Sequence, residues 1–321
     1  MDKHYKLIFE ENPLHIKNVA KNVPKTCMYP LKSATEVLEY NFPKATLFKQ
    51  KCCFENFLIE SFQLDTTVPF TIGYELLTPR IFFTFVAHND IEFTTGTGQP
   101  IVQVKACHFY LSTELEGIYH VHCKTGRSVV IAISVHPEWL MKIAKDYPIL
   151  RTSVQHLLSS DAQFEVLPRC KIDEQVHQWL FDVRKFAHQN SFAEELYLSS
   201  CLVMGLGHYE TLLNSTTLGK VYHIKQYIAQ HYAEPELDLG NLLKKFGLER
   251  RTAARQFKNL YGMSMRSYQM WTRLSKAHQL INNEKVPIPK VIEKVGYLNA
   301  NSFRKAYRKF LAHQREKSPT S

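Results

Sequence analysis

Two short runs of base, aromatic and base recur near the C-terminus: Arg255-Gln256-Phe257-Lys258 and Lys305-Ala306-Tyr307-Arg308. In each, the bases stand at i and i+3 and the aromatic at i+2. On a helix, i and i+3 share a face while i+2 turns away from it. Each run therefore sets an aromatic into a core and leaves a basic edge in solvent. Arg250, Arg251 and Ala254 precede the first run on its outward face; Asn299, Asn301, Ser302 and Arg304 lead into the second. A guanidinium offers a two-pronged donor to guanine O6 and N7, and an Asn amide matches adenine N6 and N7. Lys258 and Arg308, with Lys244, Lys245 and Lys309, suit phosphates, which give affinity without sequence choice. The chemistry that these types and spacings suit is gripping a long polyanion and reading base edges along it.

Such side chains need rigid helices beneath them. Asp238 is placed to cap a helix containing Leu239, Leu242, Leu243 and Phe246, and Gly247 turns the chain into a basic helix from Glu249 to Leu260. A longer helix starts near Ser264 and carries Tyr268, Trp271, Leu274, Ala277, His278 and Ile281. Pro289 then opens a short helix, Gly296 turns it, and Asn301 to Phe310 closes the set. Helix, glycine turn, basic helix thus occurs at 239–260 and again at 289–310. A helix-turn-helix lays its second helix in the major groove, and two joined by a long helix reach successive grooves roughly 34 Å apart. Phe257, Phe303, Tyr307, Trp271 and Leu274 read as core.

Charge agrees with this placement. Residues 220–321 hold 20 Lys and Arg against 7 Asp and Glu, while residues 1–219 hold 20 against 23. The C-terminal third thus carries more than the whole net charge of +10, which points to a polyanion partner for that part alone. The seven cysteines are scattered, with no CxxC pair, as expected of reduced thiols. No apolar run reaches membrane-spanning length, and Met1 to Tyr5 lacks the apolar core of a signal peptide. The reading is a cytoplasmic protein without a membrane span.

The first two thirds read differently. Prolines 13, 24, 30 and 43 break residues 1–45 into an irregular lead-in, with one short helix expected near Ser33 to Tyr40. From there to Val135 the chain alternates short β-branched and aromatic runs (54–64, 81–86, 101–111, 118–123, 128–135) with turn signals. That spacing suggests an antiparallel sandwich or barrel, able to hold one ligand inside. Phe82, Phe83, Phe85, Phe93, Phe109 and Tyr110 would suit an apolar or aromatic ligand, or simple core packing. Helices follow, starting at His136-Pro137 and including stretches around Trp179 and Leu198 whose apolar faces suit a dimer interface or the domain's own core. Asn214-Ser215-Thr216-Thr217 reads as a linker.

In the C-terminal stretch the chain resembles the AraC/XylS family of bacterial transcription regulators. The resemblance rests on Gly296-Tyr297 followed by Ser302-Phe303-Arg304-Lys305-Ala306-Tyr307-Arg308-Lys309, on Thr252 to Lys258, and on Gly262-Met263-Ser264, Tyr268 and Arg273-Leu274-Ser275-Lys276-Ala277 between them. It covers residues 220 to 313, with Glu249 where the family often has a capping Ser. The resemblance implies an α+β chain in four parts. These are an irregular lead-in at 1–45, a cupin-like antiparallel β-barrel sensing domain with dimerisation-type helices at 46–213, a linker at 214–218, and an all-α DNA-binding domain with two helix-turn-helix motifs at 219–321. It implies double-stranded DNA and RNA polymerase as partners, an unknown small-molecule effector in the barrel, often a homodimer, and no enzymatic activity or cofactor. The DNA-contacting residues are then Arg250, Arg251, Ala254, Arg255, Lys258, Asn299, Asn301, Ser302, Arg304, Lys305 and Arg308. The rivals are a metal-dependent enzyme of cupin type and a DNA binder without sensing. For the enzyme, His120 and His122 on one strand, with His108 and His136 nearby in sequence, are the candidate ligands. Lys124 on the same face and the lack of a close carboxylate oppose it.

Overall fold

The computed structural model describes residues 5–148, 150, 151, 154, 155, 164–187, 190–235 and 237–317. The chain divides into two compact units, residues 1–213 and 214–321.

The N-terminal unit is built on antiparallel sheets. One has five strands in the order β1 (Tyr5–Phe9), β6 (Phe70–Leu76), β11 (Gly117–Cys123), β8 (Ile91–Thr95), β9 (Pro100–Val104). The larger sheet runs β13 (Phe164–Val166), β10 (His108–Glu114), β7 (Arg80–His88), β12 (Gly126–Val135), β5 (Phe57–Thr66), β4 (Ala45–Cys53), β3 (Glu36–Asn41), β2 (His15–Asn18), with β14 (Cys170–Lys171) also on β10. Leu47, Leu64, Ile72, Val86, Phe93 and Tyr110 pack between the sheets. Among the described residues no strand pairing joins the two sheets. The observed architecture is thus two facing sheets, the sandwich of the two forms that the strand spacing suggested, and not the closed barrel that the family resemblance implied.

The lead-in also differs from expectation. Residues 36–41 form β3, paired to β2 and β4, where a helix was expected. Val37 and Tyr40 bury while their neighbours stay partly open, and the long ladder with β4 supplies the backbone partners that a short isolated helix would lack. The predicted strand over 101–111 breaks in two. Cys107 adopts φ 58°, a turn conformation between β9 and β10.

Helices α1 (Pro137–Ile143), α2 (Glu174–Lys185) and α3 (Ser191–Ser215) follow the strands. Strand alternation splits the aromatics of β7 between two environments. Phe83 and Phe85 lie against Trp179 of α2, with ring centroids 6.2 and 5.1 Å away, and Phe109 lies 5.5 Å from Tyr209 of α3. These aromatics belong to packing between sheet and helices.

The second unit is helical. The expected linker is a one-residue break: Thr216 ends the gap after α3 by capping α4 (Thr217–Gln230), its hydroxyl accepting the Gly219 N–H at 3.1 Å. Then come α5 (Leu239–Lys245), α6 (Arg250–Tyr261), α7 (Met265–Asn282), α8 (Ile288–Lys294) and α9 (Ala300–Lys317). Two core clusters form. One gathers Val221, Ile224, Leu242, Leu243, Ala253 and Phe257; the other gathers Leu274, Ala277, Val291, Val295, Phe303 and Phe310. Helix α7 contributes Met265 to the first and Leu274 to the second, so it is the strut between them.

Candidate nucleic-acid interface and effector cavity

Phe257 and Phe303 are fully buried, one in each cluster. Each fixes the roll of its helix and so decides which side chains face outward. On α6 these are Arg250, Arg251, Ala254, Arg255 and Lys258; on α9 they are Asn301, Ser302, Arg304, Lys305, Arg308 and Lys309, all exposed. Asn299 is exposed just ahead of α9.

The two helix starts differ. Asp238 caps α5 as expected, its carboxylate accepting the N–H groups of Gly240 and Asn241 at 2.8 and 3.0 Å. Glu249 makes no side-chain cap to α6, and its carboxylate instead accepts the Thr252 hydroxyl at 3.3 Å. At α9, the Asn299 side-chain oxygen accepts the N–H groups of Asn301 and Ser302 at 2.8 and 3.1 Å. Asn299 therefore caps its helix, a task that reading it only for base edges missed. The signal was available, because Asn immediately ahead of a helix is among the strongest N-cap residues. Next to it, Arg304 donates to the Asn301 side-chain oxygen at 3.3 Å.

Arg273, of the Arg-Leu-x-x-Ala stretch, works inside the fold. Its guanidinium donates to the carbonyls of Tyr232 and Glu234, both at 2.6 Å, and lies over the Tyr297 ring at 5.7 Å. Its pKa is lowered by burial. It ties the turn after α4 to the turn between α8 and α9. Gly296 sits at the same junction with φ 75°, and a Cβ there would strike the Ala233 carbonyl. Trp271 departs from the reading as core. It is 47% exposed, beside the equally exposed Met270, because Tyr268 and Leu274 occupy the inward face of α7.

In the N-terminal unit a cavity of about 100 Å³ lies between the sheets. Leu7, Phe62, Leu64, Ile72, Phe82, Phe93, Val121 and Val130 wall it, together with Tyr5, Tyr74, Glu60 and Glu114. Glu60 is buried, accepts the Tyr5 hydroxyl at 2.6 Å and pairs with Lys49 at 3.3 Å. Glu114 accepts the Tyr74 hydroxyl at 2.7 Å. Burial pushes the Glu114 carboxyl up to about 7, against the opposing pull of that hydrogen bond. The Tyr74 phenol is raised by its own burial and then by Glu114.

The histidines considered as metal ligands lie elsewhere. Val121 and Cys123 of β11 face the cavity, so His120 and His122 face away from it. His122 spends both ring nitrogens on threonines, 3.1 Å from the Thr71 hydroxyl and 2.9 Å from that of Thr94. Among the described residues no cluster of three or more His, Cys, Asp or Glu is arranged to hold a metal ion.

A profile for a helix-turn-helix domain matches residues 242–314. The C-terminal unit therefore carries a helix-turn-helix domain. The chain is also similar to the Msm operon regulatory protein of Streptococcus mutans, 27% identical over 115 residues, or 36% of this chain and 39% of that protein. The match therefore spans well under half of the relative's length. Among solved structures, the C-terminal domain of AraT, a response regulator from Geobacillus stearothermophilus, is 24% identical, covering 32% of this chain and 88% of that one, with a TM-score of 0.28. ToxT from Vibrio cholerae with a bound unsaturated fatty acid is 10% identical, covering 80% of this chain and 94% of that one, with a TM-score of 0.31. At such scores the likeness adds nothing to the architecture described above.

Proposed function

We propose that the protein is a sequence-specific DNA-binding transcription regulator of AraC type. In this reading α5–α6 and α8–α9 are two helix-turn-helix motifs that enter successive major grooves. The observation that supports it most is the matched helix-turn-helix segment, with exposed bases on two helices rolled into place by buried Phe257 and Phe303. Arg250, Arg251, Ala254 and Arg255 read bases from α6, and Asn301, Ser302, Arg304 and Lys305 from α9, with Asn299 at its start. Lys258 and Arg308 hold phosphates. Selection of bound duplexes from a random pool by the full-length protein tests this. Enrichment of one motif with two unlike halves about one helical turn apart is expected. A pool that stays random after repeated rounds refutes it.

The N-terminal unit is the sensor in this reading, with its cavity holding a small effector that controls promoter binding or recruitment of RNA polymerase. A cupin-like ancestry for the two sheets belongs to the same proposal, as does a cytoplasmic location. Phe192, Leu196 and Met204 of α3 are 75, 63 and 58% exposed, and in this reading they form the face of a homodimer. Sedimentation of the full chain against Leu196→Glu tests that pairing.

A further inference from the structure

We propose that the cavity between the two sheets takes a small apolar molecule bearing an ammonium group, seated against the carboxylate of Glu114. This rests on the sensing role proposed above and names the chemical class of the effector. The cavity wall is apolar over most of its extent, yet it carries two carboxylates, and among the described lining residues none is Lys, Arg or His. The two carboxylates are not equivalent. Lys49 answers Glu60 from behind the wall, at 3.3 Å, and Tyr5 donates to the same oxygen. Glu114 has the Tyr74 hydroxyl at 2.7 Å. Arg80 stands opposite Glu114 in the β7–β10 register but is not on the cavity wall.

A ligand anion entering here would lose its water and meet two carboxylates with no base on the wall to receive it. That is the costly case for a buried charge. An ammonium would meet an opposite charge in a poorly solvated site, where a charge-assisted hydrogen bond is strong. The carboxyl is held near neutrality by its burial, as expected of an acid awaiting a counter-ion. The small volume limits the rest of the molecule to about a ring and a short tail, well below the roughly 300–1,000 Å³ of pockets for drug-sized ligands. Phe62, Phe82 and Phe93 favour that ring being apolar.

Three matched probes decide the class on the full-length protein: 2-phenylethylamine, phenylacetate and 2-phenylethanol, with oleate as a long-chain anion. Thermal melting and calorimetric titration are the readouts. We expect 2-phenylethylamine to raise the melting temperature and bind most tightly. The alcohol should bind more weakly and the two anions should not bind. Glu114→Gln should weaken the amine by about tenfold or more and the alcohol much less, with the ligand-free melting curve showing that the variant is folded. Ala132→Leu, which fills the cavity from β12 and leaves the carboxylate, should weaken amine and alcohol alike. Should Glu114→Gln not fold, the unsubstituted protein's ranking of the probes still decides. Tighter binding of phenylacetate or oleate than of the amine overturns the class while leaving the sensing role standing. A cavity that binds none of the four overturns both.

Discussion

The segments α5–α6 and α8–α9 share a pattern and differ in how it is held. Both have a helix, a glycine with positive φ, and a basic helix around a buried Phe. Around Gly247, the nearest contact of an added Cβ would be the mobile end of Lys220, 4.0 Å away. Around Gly296, the backbone of Ala233 closes the space. Helix α6 starts with no side-chain cap and with Arg250 and Arg251 in its first turn, where like charge opposes the helix dipole. Helix α9 starts on the doubly bonded Asn299. The second segment is locked by its own neighbours. The first places Arg250 and Arg251 at its helix start at a cost in local stability, and in the proposed function those bases are kept for DNA. A regulator that reads two unlike half-sites would use such a division.

The largest test of the difference is at the turns. Gly296→Ala should cost about 4 kcal/mol, since it adds a backbone collision to the left-handed penalty. Gly247→Ala should cost about 1 kcal/mol, the penalty alone. Chemical denaturation of the full chain, followed on the helical transition, measures both. Equal losses would show that the two turns are held alike.

A pH test addresses what lies beneath the first segment. His223 of α4 stacks near Phe246, with centroids 6.2 Å apart, and its Nε2 is buried without a hydrogen bond among the described residues. Burial lowers its pKa from 6.5 to about 4. The folded unit therefore keeps it neutral while the unfolded chain protonates it. Its contribution is complete above pH 6.5 and is lost as pH falls through the window down to about 4, by at most about 1.4 kcal/mol per pH unit for one proton. His223→Leu should flatten that part of the stability profile. A profile unchanged by the substitution would remove the histidine from the account. Glu114 acts with the opposite sign in the other unit: its raised pKa makes stability fall as pH rises from the ordinary carboxylate range through about 7.

On DNA the contrast should appear as specificity. Arg251→Ala should cost about 1–3 kcal/mol on the selected site and relax one base pair. Asn301→Ala should do the same at a different base pair, in the other groove. Lys258→Ala should weaken every sequence alike and flatten the salt slope by about one. Normal binding by both Arg251→Ala and Lys258→Ala would show that α6 does not lie in a groove.

Much of the helical unit was legible because its signals are local. Asp238, Ser264 and the turn glycines mark ends within a few residues of what they control, and the 3.6-residue spacing puts Phe257 and Phe303 inward. Trp271 was misread because helical spacing gives a face without saying how wide the buried stripe is. Asn299 was read only for base edges, because a capping amide and a base-reading amide look the same in sequence. The N-terminal unit was less legible because its partners are distant. Strand β3 is defined by β2 and β4, and β1 by β6, more than sixty residues on. Prolines 13, 24, 30 and 43 punctuate these strands without excluding them. Which face of β7 or β11 meets the cavity also depends on register, and a shift of one residue would exchange Phe82 with Phe83.

The smallest predicted effects lie at the caps, and they bear most directly on why the segments differ. Asn299→Ala removes two hydrogen bonds to the first turn of α9 and should cost about 1 kcal/mol of stability. Glu249→Ser gives α6 the hydroxyl acceptor it lacks. It also removes the Thr252 contact and a carboxylate that favours the dipole, so the net gain should be only about 0.5 kcal/mol. Asn299→Asp separates capping from the proposed base reading: the carboxylate still caps, but it loses the NH2 donor and brings negative charge towards DNA. If Asn299 only caps, Asn299→Asp should keep stability and lose affinity on all sequences alike. If it also reads a base, the loss should be larger on the selected site than on random duplex. A stability gain from Glu249→Ser with unchanged DNA affinity would show that the open start of α6 serves no contact, and the contrast between the two segments would then be one of packing alone.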